Sequence, residues 1–226
     1  AINNRSNAET SSFLLINDTV HGKLKSKINH SEKAINIDEK KINMIQENEI
    51  SKIDWKKYKV NIVLECTGKF NTKEKSSQHI NSGANKVIVS APCKGAKSII
   101  YGVNEKNLKS SDQVISAASC TTNCLAPVVK VIHEKLGIVH GSMTTIHSIT
   151  NTQTILDAPH KDLRRARACG ISMIPTTTGS ATAITHIFPE LKGKLNGHAV
   201  RIPLANASLT DCVFEVSRPT TAEEVN

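Results

Sequence analysis

Short apolar runs alternate with a polar helical stretch in the first half of this chain, and this alternation most constrains its fold. Residues 59–65 and 85–90 fit buried strands, and residues 72–82 between them fit a surface helix. The apolar runs at residues 99–103 and 113–117 are further strand candidates. Strands joined through a helix predict βαβ crossovers and a parallel sheet.

The period of the apolar residues changes near residue 119. Apolar positions three to four residues apart predict a helix over 121–136, which Ser119 or Cys120 caps and Gly137 ends. Pro127 lies inside this window and predicts an irregular first turn or a bend.

The remainder of the second half predicts strands separated by a long basic loop. The strands are expected at residues 142–147, 198–202 and 208–216, and the loop at residues 151–168. Their alternation of polar and apolar residues favours an antiparallel sheet with one wet face. The sequence therefore predicts a parallel-sheet half over residues 1–119 and an α+β half over residues 120–226.

The net charge of +9 is unevenly distributed along the 226 residues. Residues 1–119 carry 19 basic and 12 acidic side chains, whereas five of the six arginines lie in the second half. Only seven residues are aromatic, too few for a platform that stacks the bases of single-stranded nucleic acid. We interpret the lysine excess as solvated surface and expect no nucleic-acid partner.

Six cysteines without a recognisable targeting segment indicate a reducing compartment, and we expect a cytoplasmic location. The uncharged stretch over residues 168–189 contains Pro175 and three successive threonines, so no membrane segment is expected. Because two close pairs of metal ligands are missing, no metal site is expected either.

The strongest chemical signal is the segment that starts at Ser119 and Cys120, followed 27 residues later by His147. A cysteine at a helix N-terminus meets unpaired backbone N–H groups and the positive end of the helix dipole, which favours the thiolate. A histidine from a neighbouring strand would complete a nucleophile and base pair. The alternative interpretation is that both residues are structural.

Hydroxyl and guanidinium groups recur after this segment in a pattern that suits phosphate. A cysteine beside such groups would work next to bound anionic oxygens. The alternative interpretation is a solvated loop and a β-rich surface. The residues are Thr150, Thr152, Thr176, Thr177, Thr178, Gly179, Arg164, Arg165, Arg167 and Arg201.

Several of these segments resemble the phosphorylating glyceraldehyde-3-phosphate dehydrogenase family. The most specific are SAASCTTNCLAPVVKVIHEKLGIVHG at 116–141, TTIHSIT at 144–150, DLRRARA at 162–168, IPTTTG at 174–179 and VRIPLANASLTD at 200–211; weaker ones are DTVHGK at 18–23, ECTGKF at 65–70 and SAP at 90–92. The resemblance implies a Rossmann-type NAD-binding domain over residues 1–119 and a catalytic domain with a mostly antiparallel sheet over residues 120–226. Both are expected to be partial, because the chain resembles an internal segment lacking both ends of the family's sequence.

The resemblance also implies a reaction, in which glyceraldehyde 3-phosphate is oxidised to 1,3-bisphosphoglycerate through a cysteine thioester. It makes Cys120 the nucleophile and His147 the base. It assigns the attacking inorganic phosphate to Ser119, Thr121, Thr178 and Gly179, the substrate phosphate to Thr150, Thr152 and Arg201, and the cofactor to Asn4, Thr67, Gly68 and Ser90. A homotetramer is implied, with the loop from Asn151 to Ala168 near a neighbour's cofactor site.

Alternatives stay open at this point. Asn4 stands where the family carries an acidic residue for the adenosine ribose, so both NAD and NADP are candidate cofactors. An erythrose-4-phosphate dehydrogenase, or a relative that accepts arsenate and makes 1-arseno-3-phosphoglycerate, would share most of these motifs. From a different class, a non-catalytic truncated binding protein would keep only the basic surface.

Overall fold

The computed structural model describes all 226 residues, which form two compact units. One unit comprises residues 1–97 with 110–116, and the other comprises residues 98–109 with 117–226. The division of the chain at residues 119 and 120 stays a proposal. Each compact unit is built from two separate segments of the chain. Residues 98–109 belong to the second unit, where Ile100 is buried in one core with Leu125 and Ile184.

The first unit contains two four-stranded sheets and a short ribbon. The sheets have the orders β1-β6-β5-β4 and β7-β8-β10-β9, and β2 pairs with β3. The strands are β1 (Ile2–Asn3), β2 (Asn17–Asp18), β3 (Gly22–Lys23), β4 (Ile28–Ser31), β5 (Ala34–Ile37), β6 (Lys40–Ile45), β7 (Ile62–Glu65), β8 (Lys86–Val89), β9 (Lys97–Ser98) and β10 (Val114–Ser116). The helices are α1 (Ala8–Ile16), α2 (Lys73–Ser76) and α3 (Gln78–Asn81), with a 3-10 turn at Ile50–Lys52.

The predicted parallel sheet is confirmed, since β7 and β10 both run parallel to β8. Its apolar residues form one core in which Val87 and Val89 are fully buried. The predicted helix over 72–82 is two short helices that meet at Ser77, whose hydroxyl donates to the Lys73 carbonyl. The predicted strand at 99–103 is wrong: residues 99 and 100 are irregular and residues 101–103 form a turn, and packing rather than sheet pairing buries Ile100.

The second unit packs helices against one mixed sheet of order β12-β13-β11-β14. β11 pairs in parallel with β13 and antiparallel with β14, and β12 is antiparallel to β13, so the sheet is mostly antiparallel as predicted. The elements are α4 (Cys120–Leu136), β11 (Ile138–His147), β12 (Ile174–Thr177), α5 (Ser180–Ile184), β13 (Leu195–Arg201), β14 (Leu209–Val216) and α6 (Ala222–Val225), with 3-10 turns at Glu105–Asn107, Leu163–Ala166 and Pro189–Leu191.

Helix α4 begins and ends where its sequence predicts. The Ser119 hydroxyl caps it by accepting a hydrogen bond from the Thr122 N–H, and the helix continues without a break through Pro127. Gly137 ends it with a φ of 72°, a left-handed conformation that glycine adopts without a steric penalty. The buried face of α4 carries Leu125 and Val129, which hold its N-terminus against the sheet.

No helix in the structure has both the length and the apolar character that crossing a membrane requires.

Two neighbouring valines on α4 test how strongly the core fixes this helix. Val129 is fully buried and Val128 is 45% exposed. We expect Val129→Ala to lower the free energy of unfolding by about 2 kcal/mol, because it removes buried methyl groups and leaves a cavity. The matched Val128→Ala should change it by less than about 0.5 kcal/mol. Urea denaturation of both variants measures the difference, and equal effects would contradict this account of the core.

Candidate active site

Cys120 is the first residue of α4, and its side chain is exposed at the helix N-terminus. Because the first backbone N–H groups of a helix have no intrahelical partners, negative charge is stabilised there. Ser119 precedes it as the cap, and Asn123 donates back to the carbonyls of Ala117 and Ser119. The cysteine is thus held at a fixed position on a rigid helix.

His147 is the last residue of β11, and sheet register determines its surroundings. The parallel pairing of β11 with β13 sets His147 opposite Arg201, the last residue of β13. Nε2 of His147 lies 3.4 Å from Sγ of Cys120, within the distance of a hydrogen bond to sulfur. The predicted pair of Cys120 and His147 is therefore brought together, although 27 residues separate them in the chain.

The other ring nitrogen of His147, Nδ1, lies beside both the Ser148 carbonyl and the Arg201 guanidinium. Nδ1 is 2.7 Å from the Ser148 carbonyl oxygen, and Nη1 of Arg201 is 2.6 Å from Nδ1 while also donating to that carbonyl at 2.9 Å. If Nδ1–H donates to the carbonyl, the lone pair of Nε2 faces the cysteine sulfur. If Nδ1 accepts from Arg201, Nε2 carries the proton instead. Only the first arrangement allows His147 to accept the thiol proton.

Burial and charge keep His147 in its neutral form. Burial lowers the pKa of His147 below its ordinary value, and the positive charge of Arg201 adds to this effect, while the hydrogen bond to the Ser148 carbonyl opposes it. A neutral imidazole at this distance from a thiol is suited to general-base chemistry near neutral pH.

A group of linked hydroxyls lies beside the cap of α4. Oγ of Ser119 is 2.7 Å from Oγ1 of Thr122 and 3.4 Å from Oγ of Ser180, and Thr178 donates to Ser180 at 3.2 Å. Gly179 precedes Ser180 as the cap of α5. Ser119, Thr178 and Gly179 thus meet as the resemblance implies, whereas Thr121 is buried and does not join these hydroxyls.

Sequence reasoning missed Ser180 and Thr122 as members of this hydroxyl group. The signal that could have found Ser180 is its position directly after Thr178 and Gly179. The position of Thr122, three residues after Ser119 at the start of a helix, is likewise typical of a capping partner.

Thr150 and Thr152 present a pair of adjacent hydroxyls in an exposed turn. Their Oγ1 atoms are 2.9 Å apart. The buried Gln153 stabilises this turn through two hydrogen bonds to Thr150. Its Oε1 accepts from the Thr150 N–H at 3.2 Å, and its backbone N–H donates to the Thr150 carbonyl at 3.0 Å. Gln153 was not singled out from the sequence, in which nothing distinguishes it from a surface glutamine.

The positive charges of Arg201 and Arg165 repel one another in this unit. Nε of Arg201 is buried and has no hydrogen-bond partner, and burial together with the charge of Arg165 lowers the pKa of Arg201. Arg165 is fixed by donating to Thr176 at 2.9 Å, and Thr176 donates to Asp162 at 3.2 Å. Two adjacent positive charges with an unused donor favour an anionic ligand.

Asp162 organises the basic loop before β12. Its carboxylate accepts two hydrogen bonds from Arg164, from Nε and Nη2, each at 3.0 Å. These bonds hold the pKa of Asp162 well below its ordinary value. Arg164 is therefore paired with Asp162, and Arg167 pairs with Asp157 at 2.7 Å, which leaves Arg165 and Arg201 as the arginines of this region without a carboxylate partner.

The residues proposed for the cofactor lie in the first unit, at the carboxyl ends of parallel strands. Thr67 and Gly68 follow β7, Ser90 follows the adjacent β8, and Asn4 follows β1 on the other sheet. All four are exposed. Gly68 has a φ of 72°, and a Cβ there would meet no atom within 4 Å. Open positions at the carboxyl ends of parallel strands are where dinucleotides bind in α/β sheets, so these residues fit NAD.

Comparisons with known proteins agree for both halves of the chain. Residues 1–73 match the family model described as "Glyceraldehyde 3-phosphate dehydrogenase, NAD binding domain", and residues 119–226 match "Glyceraldehyde 3-phosphate dehydrogenase, C-terminal domain".

Curated relatives cover essentially the whole chain. "Glyceraldehyde-3-phosphate dehydrogenase 3" of Nostoc sp. is 55% identical over 97% of this chain and 66% of its own length. The plasmid-encoded glyceraldehyde-3-phosphate dehydrogenase of Cupriavidus necator is 50% identical over 100% of this chain and 68% of its own length, and that of Geobacillus stearothermophilus is 49% identical with the same coverage. The chain thus spans about two thirds of the length of these relatives. With the NAD-binding and catalytic parts both matched, the chain belongs to the glyceraldehyde-3-phosphate dehydrogenase family of NAD-dependent enzymes.

Proposed function

We propose that this protein carries out the NAD-dependent oxidation and phosphorylation of glyceraldehyde 3-phosphate to 1,3-bisphosphoglycerate, the glycolytic reaction. The observation that carries the proposal is the 3.4 Å approach of Cys120 Sγ to His147 Nε2 at the start of α4. The names of the relatives support the same substrate, since each is a glyceraldehyde-3-phosphate dehydrogenase.

The first step is attack of the Cys120 sulfur on the aldehyde carbon. His147 Nε2 takes the thiol proton and passes it to the carbonyl oxygen, which becomes the hydroxyl of a thiohemiacetal, so the pair acts as nucleophile and base. NAD, when bound, would accept the hydride from this adduct, and Asn4, Thr67, Gly68 and Ser90 are the residues that would hold it. The hydroxyl proton of the adduct goes to His147 Nε2, which leaves a thioester on Cys120.

The second step releases the product from Cys120. An oxygen of inorganic phosphate attacks the thioester carbon, the carbon–sulfur bond breaks, and the acyl phosphate leaves while the sulfur recovers its thiolate. We assign this phosphate to Ser119, Thr121, Thr178 and Gly179. The linked hydroxyls of Ser119, Ser180 and Thr178 support the assignment of Ser119 and Thr178, and Gly179 lies between Thr178 and Ser180 as the cap of α5. The assignment of Thr121 rests on the family resemblance alone.

We assign the phosphate already on the substrate to Thr150, Thr152 and Arg201. The unpaired Nε of Arg201 and the adjacent hydroxyls of the two threonines support this assignment. Because the charge of Arg165 lies near Arg201, a dianionic phosphate would neutralise both cations.

Removal of the Arg201 charge tests the substrate-phosphate assignment. We expect Arg201→Leu to raise the KM for glyceraldehyde 3-phosphate by about 10- to 100-fold, because hydrogen bonds to charged groups contribute about 1.5–3 kcal/mol. Arg218→Leu is the matched control, since Arg218 is exposed and pairs with Glu224 near the end of the chain. Steady-state kinetics measures both, and an unchanged KM in Arg201→Leu would contradict the assignment.

Substrate choice is tested by the dependence of NADH formation on phosphate. We expect the full-length protein to reduce NAD with glyceraldehyde 3-phosphate only when inorganic phosphate or arsenate is present. The assay is repeated with erythrose 4-phosphate and with NADP, and higher kcat/KM values for either would replace the corresponding part of the proposal. Absence of any phosphate-dependent turnover would favour the non-catalytic alternative.

We also propose a homotetramer located in the cytoplasm. The loop and turn before β12 expose apolar side chains to an unusual degree, a pattern typical of interaction sites. The residues, with their exposed fractions, are Ile155 (81%), Leu156 (75%), Leu163 (80%), Ile171 (87%) and Met173 (74%). Six free cysteines support a reducing compartment. Light scattering after size-exclusion chromatography measures the assembly directly.

A further inference from the structure

A buried chain of polar side chains in the first unit connects Trp55, the one tryptophan of these 226 residues, to the turn after β7. Trp55, His79 and Glu65 are 4%, 4% and 3% exposed. Trp55 Nε1 is 3.2 Å from His79 Nδ1, and His79 Nε2 is 3.0 Å from Glu65 Oε2. The other carboxylate oxygen of Glu65 accepts from both the N–H and the hydroxyl of Thr67.

Donor and acceptor chemistry fixes the direction of every bond in this chain. An indole nitrogen only donates, so Nδ1 of His79 accepts and Nε2 carries the proton that is donated to Glu65. Burial raises the pKa of Glu65, but the hydrogen bonds from His79 and Thr67 outweigh it, and the pKa lies below its ordinary value. Glu65 is thus a carboxylate that has acceptor roles only.

The same histidine also contacts the far side of the turn. The ring of Phe70 meets the His79 ring edge-on at 6.2 Å, and the Trp55 ring lies 5.7 Å away on a tilted plane. Phe70 follows Gly68 by two residues, and the Gly68 carbonyl accepts from Asn71 at 2.8 Å. Thr67 and Gly68 are therefore held between Glu65 on one side and Phe70 on the other.

We propose that Glu65, His79 and Trp55 are positioning residues for the cofactor, which act by fixing the Thr67–Gly68 turn in the conformation that binds NAD. The inference rests on the proposed function, in which Thr67 and Gly68 contact NAD. A turn that is already ordered loses little conformational entropy when the cofactor binds, and the cofactor therefore binds more tightly. None of the three side chains needs to touch NAD itself.

Two substitutions disrupt the hydrogen bonds among Trp55, His79 and Glu65 while approximately keeping the volume of the replaced side chain. In Glu65→Gln, the new NH₂ group faces a donor on either side, His79 Nε2–H or the Thr67 groups. In His79→Leu, the buried Glu65 carboxylate loses its donor. The conservative control is His79→Gln, whose amide can both accept from Trp55 and donate to Glu65.

The test is calorimetric titration of the full-length protein and its variants with NAD, together with steady-state kinetics. We expect Glu65→Gln and His79→Leu to raise the Kd and KM for NAD about tenfold with kcat at saturating NAD nearly unchanged, and His79→Gln to stay within about twofold of wild type, because only the first two release the turn. We expect tryptophan fluorescence to change in Glu65→Gln, because the environment of Trp55 changes, and to stay close to that of the wild type in His79→Gln.

The possible results separate this inference from the proposed function. A wild-type protein that does not bind NAD would overturn the proposed function. A wild-type protein that binds NAD, with Glu65→Gln equally tight, would overturn only the positioning role. Lower melting temperatures with an unchanged Kd for NAD, or unfolding of both disruptive variants, would mean that Glu65, His79 and Trp55 only stabilise the fold. Either result would also overturn the positioning role.

Discussion

Replacement of Cys120 by serine is expected to reduce kcat/KM for phosphate-dependent NADH formation by about 10⁴-fold or more, because a hydroxyl at this position is a far weaker nucleophile than a thiol. The substitution changes only the sulfur atom to oxygen and keeps the side chain at the start of α4 beside His147. The loss should therefore appear in the chemical step while NAD affinity stays the same.

Cys124 provides a control for the Cys120 substitution within the same helix. It lies one turn after Cys120, is also exposed and also carries a free thiol. We expect Cys124→Ser to keep activity within about twofold of wild type, because the geometry gives it no histidine partner. Residual activity above about 1% in Cys120→Ser would mean that a different group is the nucleophile.

Replacement of His147 by asparagine is expected to lower kcat/KM by about 10²- to 10⁴-fold, the range that general-base catalysis contributes. Asparagine can still donate to the Ser148 carbonyl but has no basic nitrogen to offer the thiol. The pKa of His147 is lowered in the folded protein, so the neutral base predominates above a pH that lies below 6.5. The kcat/KM should consequently rise with pH around the pKa of His147, which lies below 6.5, and the titration of His147 should cause no further change at higher pH.

The pH profile of kcat/KM distinguishes a base from a structural histidine. The acidic limb should disappear in His147→Asn, because the group that titrates has been removed. His140→Asn is the control, since His140 lies on the same strand but is exposed and pairs with Glu215. An acidic limb that survives in His147→Asn would assign the titration to another group and would contradict the proposed base.

The local signals of α4 are strong enough to be interpreted without the fold. Its apolar spacing, the Ser119 cap and Gly137 predict residues 121–136, and the helix spans 120–136. The strand over 138–147 is longer than its predicted range of 142–147, because its first residues pair with β14 in a register interrupted by an irregularity. Such pairing depends on distant residues, which local propensity does not represent.

Non-local packing decided the features that the sequence did not predict. Ile99 and Ile100 form an apolar run typical of a strand, yet Ile100 is buried by α4 and α5 side chains instead of by a sheet. The parallel pairing of β11 and β13, which aligns His147 with Arg201, joins segments 54 residues apart. The roles of Gln153 and of the Trp55–His79–Glu65 chain likewise depend on contacts between side chains that the sequence does not show.

The sequence by itself indicated the family, a parallel sheet in the first half, a mostly antiparallel sheet in the second half, and Cys120 with His147 as a candidate nucleophile and base, because motif spacing, capping and apolar period are local properties of the chain. Only the tertiary structure decided the distances between these groups, their burial and their hydrogen bonds. The 3.4 Å sulfur to nitrogen approach, the lowered pKa of His147 and the unpaired Nε of Arg201 all arise from burial and from contacts between residues far apart in sequence. Distance and desolvation depend on which segments pack together, and no single segment encodes that choice.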